Sequence, residues 1–173
     1  MSKFIVLILS CICLTANAAE LKVGDDAPKF QIKTHEGKDF SLEDRKGHWT
    51  ILYFYPKAET PGCTKQACAF RDAINKVKEL NAEVYGISTD SVEEIKKFHE
   101  HHGLKFTLLA DPELKAVEPY GAKKFALKMA NRWTFIVGPD MKIKYIDQKV
   151  DPVMDVERTT KTIKELQAKS APR

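Results

Sequence analysis

The 173-residue chain reads as an α/β protein, a mixed β-sheet covered by helices, on three observations. Strand and helix signatures alternate along it, one strand is apolar on both faces, and the last helix follows a pair of adjacent strands. In order, residues 30–34 and 38–41 flank His35-Glu36-Gly37 and predict an N-terminal β-hairpin. The run WTILYFY, 49–55, is β-branched and aromatic with no polar face, as a strand buried on both sides requires. A helix is predicted from Cys63 to about Leu80, because Ala67, Phe70, Ile74 and Val77 recur at three- and four-residue spacing and draw one apolar face. Residues 83–88 form the next strand. Ser91 with Glu94 three residues on is a capping box that opens a helix, and Gly103 ends it after His101 and His102. Residues 106–110 predict a strand, 113–120 a short helix, 133–137 and 143–147 two strands joined by Gly138-Pro139-Asp140, and 153–169 the final helix.

The first 18 residues stand apart from this pattern. Lys3, the apolar run FIVLIL and the small residues Ala16-Asn17-Ala18 have the charged, apolar and cleavage regions of a secretory signal peptide, with the cut expected after Ala18. The apolar run is too short to span a membrane, and no second long one follows as an anchor. Ser10-Cys11 fits a lipid-attachment site poorly, since Leu9 is the wrong residue before it. Export to the periplasm or the exterior is therefore expected, leaving 19–173 as one domain of about 155 residues with a single core. Losing Lys3 takes the net charge from +4 to +3. The lysines are spread along the chain, which reads as a solvated surface rather than a nucleic-acid footprint.

Cys11 and Cys13 leave with the leader, so any intramolecular disulfide of the mature chain joins Cys63 and Cys68. Both lie just where the apolar strand ends at Pro56 and the helix begins. A cysteine in the first turn of a helix faces unpaired N–H groups and the positive end of the helix dipole, which favour thiolate over thiol. Cys63 is the candidate nucleophile.

Pro56, Thr60 and Cys63 stand in the P-x-x-x-T-x-x-C pattern of peroxiredoxins, and PKAETPGCTKQACAFRD resembles the peroxiredoxin Q, or bacterioferritin comigratory protein, subfamily. The segments GISTDSVEEIKKFHEHHGLKF, LLADPELKAVEPYG and NRWTFIVGPDMKI follow that family in the same order, so the resemblance covers nearly the whole mature chain. It implies a thioredoxin-like fold and reduction of hydrogen peroxide and organic hydroperoxides. It also implies Cys63 as peroxidatic cysteine, Cys68 as resolving cysteine, and Pro56, Thr60 and Arg132 as the rest of the active site. Such an enzyme binds no cofactor and takes electrons from thioredoxin or, after export, a thioredoxin-like periplasmic reductant. With no further cysteine near the C-terminus for an intersubunit disulfide, a monomer is expected.

The residue types suit this chemistry. Peroxide cleavage needs a thiolate, donors that hold the two oxygens in line, and stabilisation of the charge on the departing oxygen. Arg132 offers a permanent charge and a forked pair of donors, Thr60 a hydroxyl, and Pro56 a stiff, shielding turn. The product, a sulfenic acid, condenses with a nearby thiol to a disulfide with loss of water. Spacing adds a constraint: in an α-helix, residues five apart have Cα atoms about 8.7 Å apart, from about 7.5 Å of rise and about 140° of rotation. A disulfide tolerates at most about 7 Å, so the helix must unwind before Cys68 can reach Cys63.

Two other functions compete. A thioredoxin-like thiol–disulfide oxidoreductase of the cell envelope would favour C-x-x-C, whereas this chain has C-x-x-x-x-C. A secreted binding domain with a structural disulfide is disfavoured because so short a loop adds little stability. His99, His101 and His102 invite a metal reading, but histidines near a helix C-terminus also complement its dipole, and His99 and His102 lack an evident third ligand. No metal site, phosphate loop or haem motif is expected.

Overall fold

The computed structural model describes residues 20–170; the expected leader, 1–18, lies outside them. Within these residues seven strands form one mixed sheet: β1 (Gln31–Thr34), β2 (Asp39–Ser41), β3 (Trp49–Phe54), β4 (Ala82–Ser88), β5 (Thr107–Ala110), β6 (Trp133–Val137) and β7 (Ile143–Asp147). Their spatial order is β2-β1-β5-β4-β3-β6-β7. The central strands β3, β4 and β5 run parallel, while β1, β2, β6 and β7 pair antiparallel. The predicted hairpin is present as β1–β2 and joins the sheet through β5.

The helices are α1 (Pro61–Asp72), α2 (Ile74–Lys78), α3 (Val92–His101) and α4 (Asp155–Ser170). All six residues of β3 are buried, because β4 and β6 cover its edges and both faces are packed. Ile51, Tyr53 and Tyr55 point into the core under the helices, with Ala67 and Phe70 of α1, Phe98 of α3 and Ile163 of α4. Leu52 and Phe54 point the other way, toward Phe30, Leu42, Tyr120 and Phe135. Full burial of one such side chain stabilises by about 1.5–3 kcal/mol, so β3 anchors both halves of the molecule. Gly86 of β4 pairs with Tyr53 and lies beneath its ring; a Cβ there would run into the Tyr53 hydroxyl.

Three predicted elements differ. The helix expected from Cys63 to Leu80 is two helices, α1 and α2, separated by Ala73 at φ −101° and ψ 12°. The helix expected at 113–120 is instead a set of turns. Its first donors go to the buried Asp111 carboxylate, which accepts from the amides of Lys115, Ala116 and Val117 at 2.7–2.8 Å. Leu114 also adopts a left-handed backbone, φ 62°, which a helix cannot contain. This irregular stretch puts Ala116, Val117 and Tyr120 on the face of the sheet opposite the helices. The last helix starts at Asp155 rather than Val153, because the Asp151 carboxylate accepts from the amides of Val153 and Met154 in a turn before it. A 3-10 turn at Leu42–Arg45, not expected, is capped by the Ser41 hydroxyl accepting from Glu43 N.

Candidate active site

β3 runs out of the sheet at Phe54, and the chain crosses residues 55–60 into α1. A buried acid fixes this crossing. Asp90, just past β4, accepts from Ala58 N at 2.8 Å, from Ser88 Oγ at 2.9 Å and from Lys57 Nζ at 2.6 Å. Lys57 Nζ also donates to Glu94 Oε1, 3.1 Å. The backbone of Ser91 and then Lys57 hold the Glu94 carboxyl down to about 2. Pro56 is half-buried at the start of this loop.

Thr60 is the N-cap of α1, Pro61 occupies its first turn, and Cys63 follows in that same turn, as predicted. Cys63 is 1% exposed. Both thiols are free, with Cys68 half-buried one and a half turns along the same unbroken helix. The Thr60 hydroxyl donates to the Lys57 carbonyl at 2.9 Å, so in this state it closes the loop rather than reaching Cys63.

Arg132 arrives from the other side of the sheet. β6 pairs antiparallel with β3 so that Trp133 stands opposite Phe54, and the residue before Trp133 meets the chain as it enters α1. Arg132 Nη2 lies 3.3 Å from Cys63 Sγ, and Nη1 donates to Gln66 Oε1 at 2.6 Å. Gln66, fully buried one turn beyond Cys63, donates through Nε2 to Asp155 Oδ2 at 2.6 Å. Thr134 Oγ1 donates to the same oxygen at 2.8 Å. The amide of Gln66 has only one workable orientation, because a guanidinium can only donate and a carboxylate only accept. Burial pushes the Asp155 carboxyl up to about 6, against the hydrogen bonds from Gln66 and Thr134. Asp155 thus orients Gln66, and Gln66 orients the guanidinium over the sulfur.

The sequence reading brought Cys63 and Arg132 to one place and missed Gln66, Asp155 and Thr134. Gln66 carried a usable signal, being a polar residue three positions after the nucleophile on the buried face; Asp155 carried none. In a second cluster the sequence reading weighed His101 and His102 but missed Glu59. Glu59 reaches the end of α3, where His101 Nδ1 and His102 Nε2 lie 3.1 and 3.0 Å from its two carboxylate oxygens. Burial would raise the Glu59 carboxyl, but the hydrogen bonds from His102 and His101 outweigh it and leave it below its usual range. His99 is elsewhere, stacked on His35 with centroids 3.8 Å apart.

Residues 23–146 match the model of the AhpC/TSA family. The chain is 41% identical over 132 residues to Peroxiredoxin Bcp of Escherichia coli, covering 73% of this chain and 85% of that one. It is 37% identical over 150 residues to the chloroplastic Peroxiredoxin Q of Sedum lineare, covering 86% and 81%. Its fold superposes on the crystal structure of Peroxidoxin BcpB from Mycobacterium tuberculosis with a TM-score of 0.80 and 30% identity, covering 84% of this chain and 98% of the other. The expected thioredoxin-like architecture is therefore present, and the sheet carries a buried cysteine under an arginine at the start of a helix. Sequence, fold and relatives agree: the chain belongs to the AhpC/TSA family as a peroxiredoxin enzyme of the peroxiredoxin Q/bacterioferritin comigratory protein subfamily.

Proposed function

We propose that the protein reduces hydrogen peroxide and organic hydroperoxides through Cys63, with Cys68 as the resolving thiol. The observation that carries this reading is the Arg132 guanidinium 3.3 Å from the Cys63 sulfur, its other arm locked by Gln66. The Cys63 thiolate attacks one peroxide oxygen, the O–O bond breaks, and water or an alcohol leaves with a proton from solvent. Arg132 and the free amides of the first turn of α1 stabilise the charge on the departing oxygen. The sulfenic acid left on Cys63 loses water to the Cys68 thiol, forming an intramolecular disulfide. A dithiol reductant of the thioredoxin type then takes the disulfide by exchange, becoming oxidised itself and restoring both thiols.

The charged, apolar and small-residue order of residues 1–18 supports, as part of this proposal, export and cleavage after Ala18, with a thioredoxin-like periplasmic partner as reductant. Among the described residues no helix is long and apolar enough to cross a membrane.

Mixing the reduced protein with one equivalent of hydrogen peroxide and counting thiols tests the chemistry. The parent should lose Cys63 and Cys68 together, and a Cys68→Ser variant should stop at a sulfenic acid on Cys63. Persistence of both thiols would overturn the peroxidase assignment in favour of disulfide exchange. Fractionation of the producing cell tests the location: a full-length cytosolic protein would refute export.

A further inference from the structure

We propose that Glu59, His101 and His102 form a binding site for a divalent transition ion of the zinc type, beside the active-site loop and separate from the thiols. One ligand atom from each residue lies within 4.8 Å of the other two. Two imidazole nitrogens and one carboxylate oxygen are a donor set for zinc, and three protein ligands leave a fourth position for water.

The convergence depends on how α3 ends. Side chains of adjacent helical residues diverge by about 100° and do not share a ligand. Here α3 stops at His101, and His102 is its C-cap at φ −100° and ψ 5°. At this helix end the two rings stand 4.5 Å apart at 31°. His102 is held: its side chain is 17% exposed, Phe98 packs against its ring, and its carbonyl accepts from Arg71 Nη1 at 2.8 Å. His101 stays open to solvent at 69%, which leaves a path for an ion. Glu59 comes from a distant part of the chain and places one oxygen against each ring.

The spacing suits the ion. Bonds of about 2.0–2.1 Å at tetrahedral angles separate ligand atoms by about 3.3 Å. Each imidazole nitrogen already lies 3.0–3.1 Å from one oxygen of the Glu59 carboxylate, and the three donor atoms, within 4.8 Å of one another, need only draw together around the ion. As plain ion pairs at the surface, these contacts would be worth about 0–1 kcal/mol each. A bound ion does more: Glu59 immediately precedes Thr60, the N-cap of α1, so the ion ties the start of the thiol helix to the end of α3.

The test uses the untagged protein, stripped of metal with a chelator, then titrated with zinc by calorimetry and with cobalt by visible absorption. Glu59→Gln and the double variant His101→Ala/His102→Ala are measured beside it. Cobalt bound to thiolate shows sulfur-to-metal charge-transfer bands, which nitrogen and oxygen ligands do not, so binding at Cys63 and Cys68 is told apart. The expected result is one ion held with a nitrogen/oxygen spectrum, weakened about tenfold or more by Glu59→Gln and lost in the double histidine variant. Circular dichroism checks that both variants remain folded. Binding of unchanged affinity in the double variant, or a spectrum from thiolate alone, would overturn the site. With zinc present, the amides of 59–63 should exchange more slowly in the parent only; unchanged exchange at saturation would overturn the tether.

Discussion

On the proposed mechanism, in which Cys68 resolves Cys63, oxidising the protein with one equivalent of hydrogen peroxide opens the first turns of α1. Cys63 and Cys68 both lie inside the unbroken helix Pro61–Asp72, five residues apart. Helical geometry sets their Cα atoms about 8.7 Å apart, and a disulfide needs no more than about 7 Å, with about 5.5–6 Å usual. The cysteines must therefore close by about 2–3 Å. Helical hydrogen bonds span only about 2.7–3.2 Å, so a displacement of that size breaks them rather than stretching them. The bond from Thr64 N to Thr60 O, 2.9 Å in the reduced form, is among the first to go. Phe70 marks the far limit: it is fully buried and stacked on Tyr53 with centroids 5.1 Å apart at 12°. The opened stretch should run from about Thr60 to just before Phe70. Amide hydrogen exchange on a peptide covering 60–70 reads this directly. If opening costs about 3 kcal/mol in the reduced protein, its amides exchange about 10²-fold slower than free ones, and oxidation should remove most of that factor. Equal uptake in the reduced protein and in protein shown by thiol counting to be fully oxidised would refute the argument.

Arg132→Met removes the donor 3.3 Å from Cys63 Sγ and should lower kcat/KM for hydrogen peroxide by about 10²–10³ in protein shown by circular dichroism to be folded; activity within a fewfold of the parent would remove Arg132 from the mechanism. Gly62→Ala would set a methyl 3.1 Å from Arg132 Nη2, shifting the guanidinium by a few tenths of an ångström, and should cost a fewfold in kcat/KM while the protein stays folded; a parent-like rate would show that the guanidinium tolerates the shift. Asp155 makes stability depend on pH. Its carboxyl rises from 3.8 to about 6 on folding, so the folded state holds that proton more tightly than the unfolded state. The contribution, on the order of 3 kcal/mol, is fully present below pH 3.8 and is lost as pH rises through about 6. Urea midpoints between about pH 4 and 7 should flatten in Asp155→Asn, whose side-chain oxygen can still accept from Gln66 and Thr134; an unchanged pH slope would show that another group carries it.

The sheet was legible because its strands carry their burial in their composition. A seven-residue apolar run with no polar face has no place except the middle of a covered sheet, and that is where β3 lies. The capping box at Ser91 and Glu94 was equally plain, since both of its hydrogen bonds are local. The misread stretch at 113–120 has helical composition, but Asp111 takes three of its backbone donors, a choice that depends on where the strand before it delivers the carboxylate. The site divides in the same way. Cys63 announced itself by its place at a strand–helix junction. Arg132 required the resemblance, because only the antiparallel pairing of β6 on β3 puts it within reach. Asp155 is separated from Gln66 by 89 residues and meets it only through tertiary packing.

Helix α1 has two duties that conflict. In the proposed mechanism it holds Cys63 rigidly beneath Arg132 while peroxide is attacked, and then releases it toward Cys68. The chain divides these duties along the helix. At the N-terminal end Pro61 cannot donate a backbone hydrogen bond, Gly62 lowers helix propensity, and Thr60 makes no side-chain cap bond, so little local energy opposes opening. Beyond Cys68, Phe70 in the core and Arg71 bonded to the His102 carbonyl hold the remainder down. What keeps the first turn closed in the reduced enzyme is then the tertiary network of Arg132, Gln66 and Asp155, which grips Cys63 and the turn after it. In the proposed mechanism the sulfenic acid adds an oxygen to the sulfur that Arg132 touches, and so changes that contact at the step where the helix has to yield. Positioning for the first reaction and release for the second are set by one contact.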